Sequence, residues 1–224
     1  MTGFWSVVAT MMWKDVLTEL RAKEVVTAVL TFAILTLVIL NFAVNKETRF
    51  TPVVAPGVLW VSITFAGVLG LTRSFALEKD RGNLEGLLLT PTGRDALFAG
   101  KMLGGLAFML AAEAVLLPFF AVLFDVSPFQ PVLLLVILLA TVGFVAIGTL
   151  FSAIAVNTRS REIMLPMLFL PIVVPVVIGA VAASGGVLEG RPWGEIAKWV
   201  QLLAVFDLLA LVFCAFAFEH VIQE

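Results

Sequence analysis

The sequence predicts an all-α, polytopic membrane protein, and three observations support this fold class. The 224 residues are 61% hydrophobic and only 13% charged, whereas soluble domains carry about 25% charged residues. The mean hydropathy is +1.11. The apolar residues form six long runs, and a helix of about 20 apolar residues crosses a hydrocarbon core of about 30 Å. The sequence has no internal repeat and no domain boundary, so we expect one transmembrane domain over residues 1–224.

Residues 4–24 come before the first long apolar run and predict an amphipathic helix. Its apolar side chains recur at helical spacing, and they are Trp5, Val8, Met12, Val16 and Leu20. Lys14, Thr18 and Arg21 take another face. This is typical of a helix lying in the cytoplasmic membrane interface, with Trp5 and Trp13 at the headgroup level. The alternative is an N-terminal extension of the first spanning helix, which the crowding of charges after Trp13 disfavours.

Six long runs with little or no charge follow, and each must form a helix because it has to satisfy its own backbone hydrogen bonds. The predicted spans are Val25–Val44, Phe50–Thr72, Met102–Phe124, Val132–Val156, Ile163–Ala183 and Trp199–Phe218. Their orientation follows from the basic residues between them, since Lys and Arg are enriched in cytoplasmic loops. Ten of the 14 Lys and Arg residues fall on the side of the N-terminal helix. Both termini are therefore predicted to be cytoplasmic.

The segment Arg73–Lys101 is the longest charged stretch of the chain. Asn83 is a suitable N-cap for a short helix over Leu84–Leu89, which the following proline would end. The pattern from Thr92 to Asp95 has the form of a capping box and predicts the start of the next helix. One interpretation is a cytoplasmic docking surface with an apolar tip and a charged rim. The other is a solvated interhelical loop, which spacing alone favours.

Two acidic residues lie inside predicted spans, Glu113 near the middle of the third and Asp207 within the sixth. No Lys or Arg lies within any predicted span to pair with them. Carboxyl groups in the membrane are costly and often functional, which suggests a proton or substrate site. The alternative is a structural role as a hydrogen-bonding group between helices, and the sequence leaves both open.

Helix breakers and small residues mark two other spans. Pro166, Pro171 and Pro175 remove backbone donors from the fifth span and are expected to kink or unwind it. A broken helix can line a moving pathway, although three prolines also fit a curved bundle. Gly100 and Gly104 form a GxxxG pair at the mouth of the third span, which predicts close packing of another helix.

Several chemistries lack the residues that they need. The only cysteine, Cys214, excludes an internal disulfide, and the only histidine, His220, is expected at the surface rather than on a metal or haem. Gly100-Lys101-Met102 lacks the spacing and the Ser/Thr of a phosphate loop, so a partner would have to hydrolyse any ATP. No combination of acid, base and nucleophile suggests hydrolytic catalysis. Acidic residues interleave with the basic ones, which argues against nucleic-acid binding.

The run from Ala55 to Pro91, APGVLWVSITFAGVLGLTRSFALEKDRGNLEGLLLTP, resembles the signature region of the CcmB family, the haem exporter B proteins. The resemblance continues through Gly100-Lys101 and includes LPMLFLPIVVPVVIGA, from Leu165 to Ala180. It implies a fold like that of ABC-2 type exporter permeases and a non-catalytic subunit in the bacterial inner membrane. The implied partners are the ATPase CcmA, the haem-handling proteins CcmC and CcmD, the haem chaperone CcmE and a second copy of this chain.

The resemblance also implies a coupling helix that seats in a groove of the ATPase. The matching residues are Glu78, Asp80, Arg81, Gly82, Asn83, Glu85, Leu87 and Leu88. No covalently bound cofactor is expected; ATP would act only through the partner, and haem is a possible cargo. Because a tryptophan-rich haem-binding signature is missing, we expect this chain to transmit motion while CcmC and CcmE hold haem. Two alternatives are an ABC-2 exporter of another substrate and a proton-coupled carrier that uses Glu113 and Asp207.

Overall fold

The computed structural model describes residues 3–43, 51–80, 93–156 and 161–221, and every regular element within these ranges is an α-helix. The helices are α1 (Phe4–Arg21), α2 (Lys23–Ala43), α3 (Thr51–Asp80), α4 (Arg94–Phe124), α5 (Pro131–Val156), α6 (Arg161–Leu188) and α7 (Trp193–Val221). The six helices after α1 are, by length and composition, able to cross a membrane. The predicted all-α class and the six spans are therefore confirmed.

The helices on either side of the charged segment extend well beyond the predicted spans. α3 has 30 residues and continues to Asp80, and α4 has 31 residues and begins at Arg94. At 1.5 Å per residue each is about 45 Å long, so both extend past a hydrocarbon core of about 30 Å. Of the predicted loop 73–101, only residues 81–93 lie between α3 and α4. The predicted short helix over Leu84–Leu89 lies outside the described residues.

The start of α4 differs from the capping box predicted at Thr92 and Asp95. The N-cap residue is Gly93, and no side-chain hydrogen bond caps the helix. The carbonyl of Gly93 accepts the backbone N–H groups of Ala96 and Leu97 at 3.1 and 3.3 Å. Glycine serves as an N-cap at little cost, because it leaves the first N–H groups accessible. The predicted start of the helix is right to within two residues, and the predicted cap is wrong.

Interhelical hydrogen bonds show that the spans alternate in direction. The guanidinium of Arg94 donates to the carbonyl of Glu219 at 3.1 Å, which joins the start of α4 to the end of α7. At the other end of the bundle, the amide of Asn41 donates to the carbonyl of Leu123 at 2.8 Å, which joins the ends of α2 and α4. We refer to the first of these ends as the α1 end, because α1 leads directly into the start of α2 there.

The core of the bundle is centred on α5. It is the most buried of the six spans and packs against α3, α4, α6 and α7. The hydroxyl of Ser152 donates to the carbonyl of Leu71 at 2.9 Å and ties α5 to α3. The ring of Phe144 packs edge-on against Phe169 of α6, with ring centroids 4.7 Å apart. Side chains projecting from α5 therefore touch most of the other spans.

α1 is a helix of its own and not an extension of α2, because the backbone leaves the helical conformation at Ala22. It packs chiefly against α4. A Cβ atom at Gly100 would lie 2.6 Å from the Cβ of Met11, and one at Gly104 would lie 2.9 Å from the Cβ of Asp15. The predicted close packing at the glycine pair is therefore confirmed, and α1 is the helix that packs there.

Only part of the predicted apolar stripe of α1 faces the bundle. Val8 is buried, but Trp5 is 75% exposed and Leu20 is 64% exposed. Asp15, which the prediction assigned to neither face, lies directly against Gly104. The glycines explain the difference, because a surface without side chains leaves room for a short polar side chain.

α6 runs without interruption from Arg161 to Leu188 and includes Pro166, Pro171 and Pro175. The expectation of an unwound segment is therefore wrong. Pro171 and Pro175 are exposed on the outside of the bundle, where their rings do not disturb a helix contact. Each proline removes one backbone hydrogen bond, but unwinding would free further backbone groups where no water can satisfy them.

Candidate functional site

The predicted coupling residues belong to the end of α3 and the segment that follows it. Glu78 and Asp80 are in the last turn of α3. The others lie outside the described residues, and they are Arg81, Gly82, Asn83, Glu85, Leu87 and Leu88. The structure describes the helix on the far side of this segment, α4, whose first turns contact two other elements at the α1 end.

The first of these elements is the end of α7. Besides the hydrogen bond from Arg94 to Glu219, the rings of Phe98 and Phe218 lie with centroids 5.3 Å apart, and both residues are buried. His220 is exposed next to them, and a ring nitrogen lies 3.0 Å from a backbone carbonyl of its own helix. Its predicted surface position is confirmed. The start of α4 is thus attached to α7 by a hydrogen bond and an aromatic pair.

The second element is α1, and the contact depends on Lys101, a residue that sequence reasoning assigned to the charged loop. Lys101 belongs to α4 and its side chain is only 1% exposed. Its ammonium lies 3.3 and 3.2 Å from the two carboxylate oxygens of Asp15. Lys14 approaches the same carboxylate at 3.1 Å, with its side chain 40% exposed. The placement of Lys101 in a loop is therefore wrong, and the uncharged, mostly apolar residues on both sides of it, from Ala96 to Leu106, were a signal of burial.

Glu19 lies one turn after Asp15 on α1 and lines a groove of about 410 Å³ between α1, the start of α2 and α4. Burial, and to a smaller extent the Asp15 carboxylate, raise the pKa of Glu19 to about 7, while Lys101 on α4 acts to lower it. Lys23, at the start of α2, lines the same groove. Glu19 therefore changes charge near neutral pH while facing one acidic and two basic residues.

We expect α1 to bind α4 less tightly as the pH rises from 6 to 8. Docking raises the pKa of Glu19 from its ordinary value of 4.5 to about 7, so the docked helix takes up a proton between these pH values. The stabilisation of docking is therefore complete below about pH 4.5 and is lost as the pH rises through about 7. By this linkage the docking equilibrium constant falls roughly tenfold between pH 6 and pH 8. Hydrogen–deuterium exchange of the α1 amides, corrected for the intrinsic effect of pH on exchange, measures the change.

The matched pair for this experiment is Glu19→Gln and Glu24→Gln. Glutamine at position 19 removes the titrating group and should make docking independent of pH in this range. Glu24 is exposed at the start of α2, so Glu24→Gln should keep the pH dependence of the wild type. An unchanged pH dependence in Glu19→Gln would show that another group is responsible.

The two intramembrane acids are both buried against α5, at almost the same level. The hydroxyl of Thr141 on α5 donates to Oε1 of Glu113 on α4. Asp207 on α7 lies against Gly143, where its carboxylate occupies the space that a Cβ atom would need. Each acid thus contacts α5 from a different neighbouring helix. This geometry supports the structural interpretation of Glu113 and leaves both interpretations of Asp207 open.

Thr141→Val is expected to lower the free energy of unfolding by about 1–2 kcal/mol, because valine keeps the shape of threonine but cannot donate to the buried Glu113 carboxyl. Denaturant titration in detergent micelles measures the loss. Thr149→Val is the control, since the hydroxyl of Thr149 donates to Val145 within α5 at 2.8 Å and not to another helix. Equal losses in the two variants would contradict a special contribution from Glu113.

Few side chains among the described residues are placed to ligate haem or a metal. Among them no group of three or more His, Cys, Asp or Glu residues could hold a metal ion. A cavity of about 1140 Å³ lies between α2, α3 and α6, with Phe32, Phe65 and Val174 among its lining residues. The described residues that line it include no His, Cys or Met. This cavity could enclose apolar groups but offers no axial ligand to a haem iron.

The sequence profile described as CcmB protein matches residues 6–224. The chain belongs to the CcmB family. Heme exporter protein B of Pseudomonas aeruginosa is 29% identical over 198 residues, which cover 88% of this chain and 87% of the relative. The proteins of the same name from Paracoccus denitrificans and Rhodobacter capsulatus are 30% and 32% identical, and the matches cover 84% and 66% of this chain and 85% and 69% of the relatives. The CcmB resemblance found in the run Ala55–Pro91 is therefore confirmed over nearly the whole chain.

Proposed function

We propose that this chain is the permease subunit of an ABC transporter complex for haem export in cytochrome c maturation. The observation that carries the proposal is the match of residues 6–224 to the CcmB family, with relatives named heme exporter protein B. The chain lies in the bacterial inner membrane with both termini in the cytoplasm, so that its α1 end faces the ATPase. The excess of Lys and Arg at that end supports this orientation.

Residues 78–88 form the contact with the ATPase partner, CcmA. The contact residues are Glu78, Asp80, Arg81, Gly82, Asn83, Glu85, Leu87 and Leu88. Leu87 and Leu88 enter an apolar groove of the ATPase, and the charged residues around them fix the orientation. The flanking helices support this role, since α3 and α4 extend past the hydrocarbon core and α4 is attached to α7 at its first turn. A push on the segment would therefore act directly on spanning helices.

In this proposal the chain transmits motion and leaves haem ligation to CcmC and CcmE, in a complex that also contains CcmD. ATP hydrolysis in CcmA drives haem export or the release of haem-loaded CcmE, and this chain binds no cofactor covalently. The described residues that line the cavity between α2, α3 and α6 include no His, Cys or Met, which supports this division of roles, as does the exposed position of His220.

A second copy of the chain completes the membrane part of the complex. The cavity between α2, α3 and α6 lies on the outside of the bundle and is lined almost entirely by apolar side chains. Helices in lipid associate mainly by close packing, and side chains of another helix can fill a concavity of this size. We therefore assign this face to the second copy.

Purification of the tagged chain from its native membrane in mild detergent tests the proposal. Bound partners are identified by mass spectrometry, and haem is assayed in the same sample. Recovery of an ABC ATPase with small haem-handling membrane proteins is the expected result. An ATPase without haem proteins would indicate an exporter of another substrate. Recovery without any ATPase, under conditions that preserve other complexes, would contradict the proposal and favour a carrier that uses Glu113 and Asp207.

A further inference from the structure

The contact between α1 and α4 contains a buried ion pair to which the proposed function gives no role. The side chain of Lys101 is 1% exposed and that of Asp15 is 12% exposed, and their charged atoms lie 3.2 Å apart. A buried ammonium is tolerated only when it is paired, so separation of α1 from α4 would leave a charge in an unfavourable place. The pair is therefore expected to hold whenever the two helices are in contact.

The glycine pair gives this contact a fixed geometry. A Cβ atom at Gly100 would lie 3.3 Å from the carbonyl oxygen of Val8, so the backbones of α1 and α4 are close together. Asp15 lies against Gly104, one turn further along α4. The close backbone contact and the ion pair thus involve the same stretch of α4. Neither involves α2, the helix to which α1 is joined in sequence.

Lys101 is also close to the segment that we assign to the ATPase. It lies seven residues after Arg94, the first residue of α4, which corresponds to about 10 Å along a helix. No break interrupts α4 between these residues. A displacement of the segment 81–93 that moves Arg94 therefore moves Lys101 as well.

We propose that the Asp15–Lys101 pair fastens α1 to α4, so that α1 moves together with the segment 81–93 during the ATPase cycle. This inference rests on the proposed function. Asp15 and Lys101 are positioning residues in it, since they act on α1 and α4 and not on ATP or haem. If α1 were instead a passive anchor on the membrane surface, α4 would move relative to it, and the buried pair would have to break in every cycle.

The test uses the complete complex with its ATPase in lipid nanodiscs. Hydrogen–deuterium exchange is measured in α1 and in the first two turns of α4, with and without a non-hydrolysable ATP analogue. In the wild type, the analogue should change exchange in both regions. In Lys101→Met, α1 should exchange about tenfold faster or more and should no longer respond to the analogue, whereas the start of α4 should still respond. Formation of c-type cytochromes should fall in the same variant.

Lys14→Met is the matched control, because it removes the exposed ammonium from the same Asp15 carboxylate and should behave as the wild type. The reversed pair, Asp15→Lys with Lys101→Asp, should restore the response of α1 if the attraction between the charges fastens the helices. A reversed-pair variant that folds, but in which α1 does not respond to the analogue, would count against the inference. If the Lys101→Met variant fails to insert into the membrane, Asp15→Asn breaks the same pair by a change in α1, which lies outside the six spans.

Two results would overturn the inference. One is a Lys101→Met complex in which α1 still responds to the analogue as in the wild type, because the pair would then be purely structural. The other is a wild-type complex in which α4 responds and α1 does not. Absence of an ATPase from the wild-type preparation would overturn the proposed function together with the inference. That failure is recognised before any nucleotide is added, so the two cases are distinguishable.

Discussion

Replacing Leu87 by aspartate is expected to release the partner ATPase from this chain. In the proposed complex the Leu87 side chain is buried in an apolar groove, and a carboxylate in that place loses its water without gaining a partner. Anchors of this kind contribute about 2 kcal/mol or more, which corresponds to a rise in the dissociation constant of roughly 30-fold. The ratio of ATPase to permease after purification, and a titration of the purified ATPase, measure the effect.

Thr92→Asp is the matched control for Leu87→Asp. It adds the same charge to the same segment, five residues away, without removing an apolar side chain. We expect Thr92→Asp to retain the ATPase and to support c-type cytochrome formation as the wild type does. Unchanged co-purification and unchanged haem delivery in Leu87→Asp would contradict the coupling role of this segment.

Hydropathy alone was sufficient to predict the number of spans and the limits of those that end in sharp changes of polarity. The predicted spans Val25–Val44 and Val132–Val156 correspond to α2 and α5 within two residues at each end. It was not sufficient for α3 and α7, because a charged residue ends an apolar run without ending a helix. α3 continues to Asp80, and α7 begins at Trp193, six residues before its predicted start at Trp199.

The contacts around the candidate site were less accessible to prediction, because they join residues far apart in the chain. Asp15 and Lys101 are 86 positions apart, so no local sequence pattern pairs them. The glycines beside Lys101 indicated close packing, but they did not indicate which helix packs there. The sequence offers no basic partner for Glu113 within the predicted spans, and the structure supplies the neutral hydroxyl of Thr141 instead.

Replacing Gly100 by leucine is expected to detach α1 while the six spans stay folded. A Cβ atom at this position would lie 2.6 Å from the Cβ of Met11 and 3.3 Å from the carbonyl oxygen of Val8. Neither atom can be moved by rotation of a side chain, so α1 itself has to shift. Overpacking of this kind costs about 1–3 kcal/mol, which would increase amide exchange in α1 by roughly 5- to 150-fold. Hydrogen–deuterium exchange of the complete chain in detergent measures the effect helix by helix.

Gly57→Leu provides the comparison, since a Cβ atom at Gly57 in α3 would meet no atom within 4 Å. It should leave exchange in α1 unchanged. Protection of α1 retained in Gly100→Leu, or a loss spread equally over all spans, would contradict a local role for the glycine. The result also separates two contributions to docking, because Gly100→Leu leaves both charges of the Asp15–Lys101 pair in place. If α1 detaches in this variant as fully as in Lys101→Met, the ion pair alone does not hold the helix, and close backbone contact is required for the charges to meet.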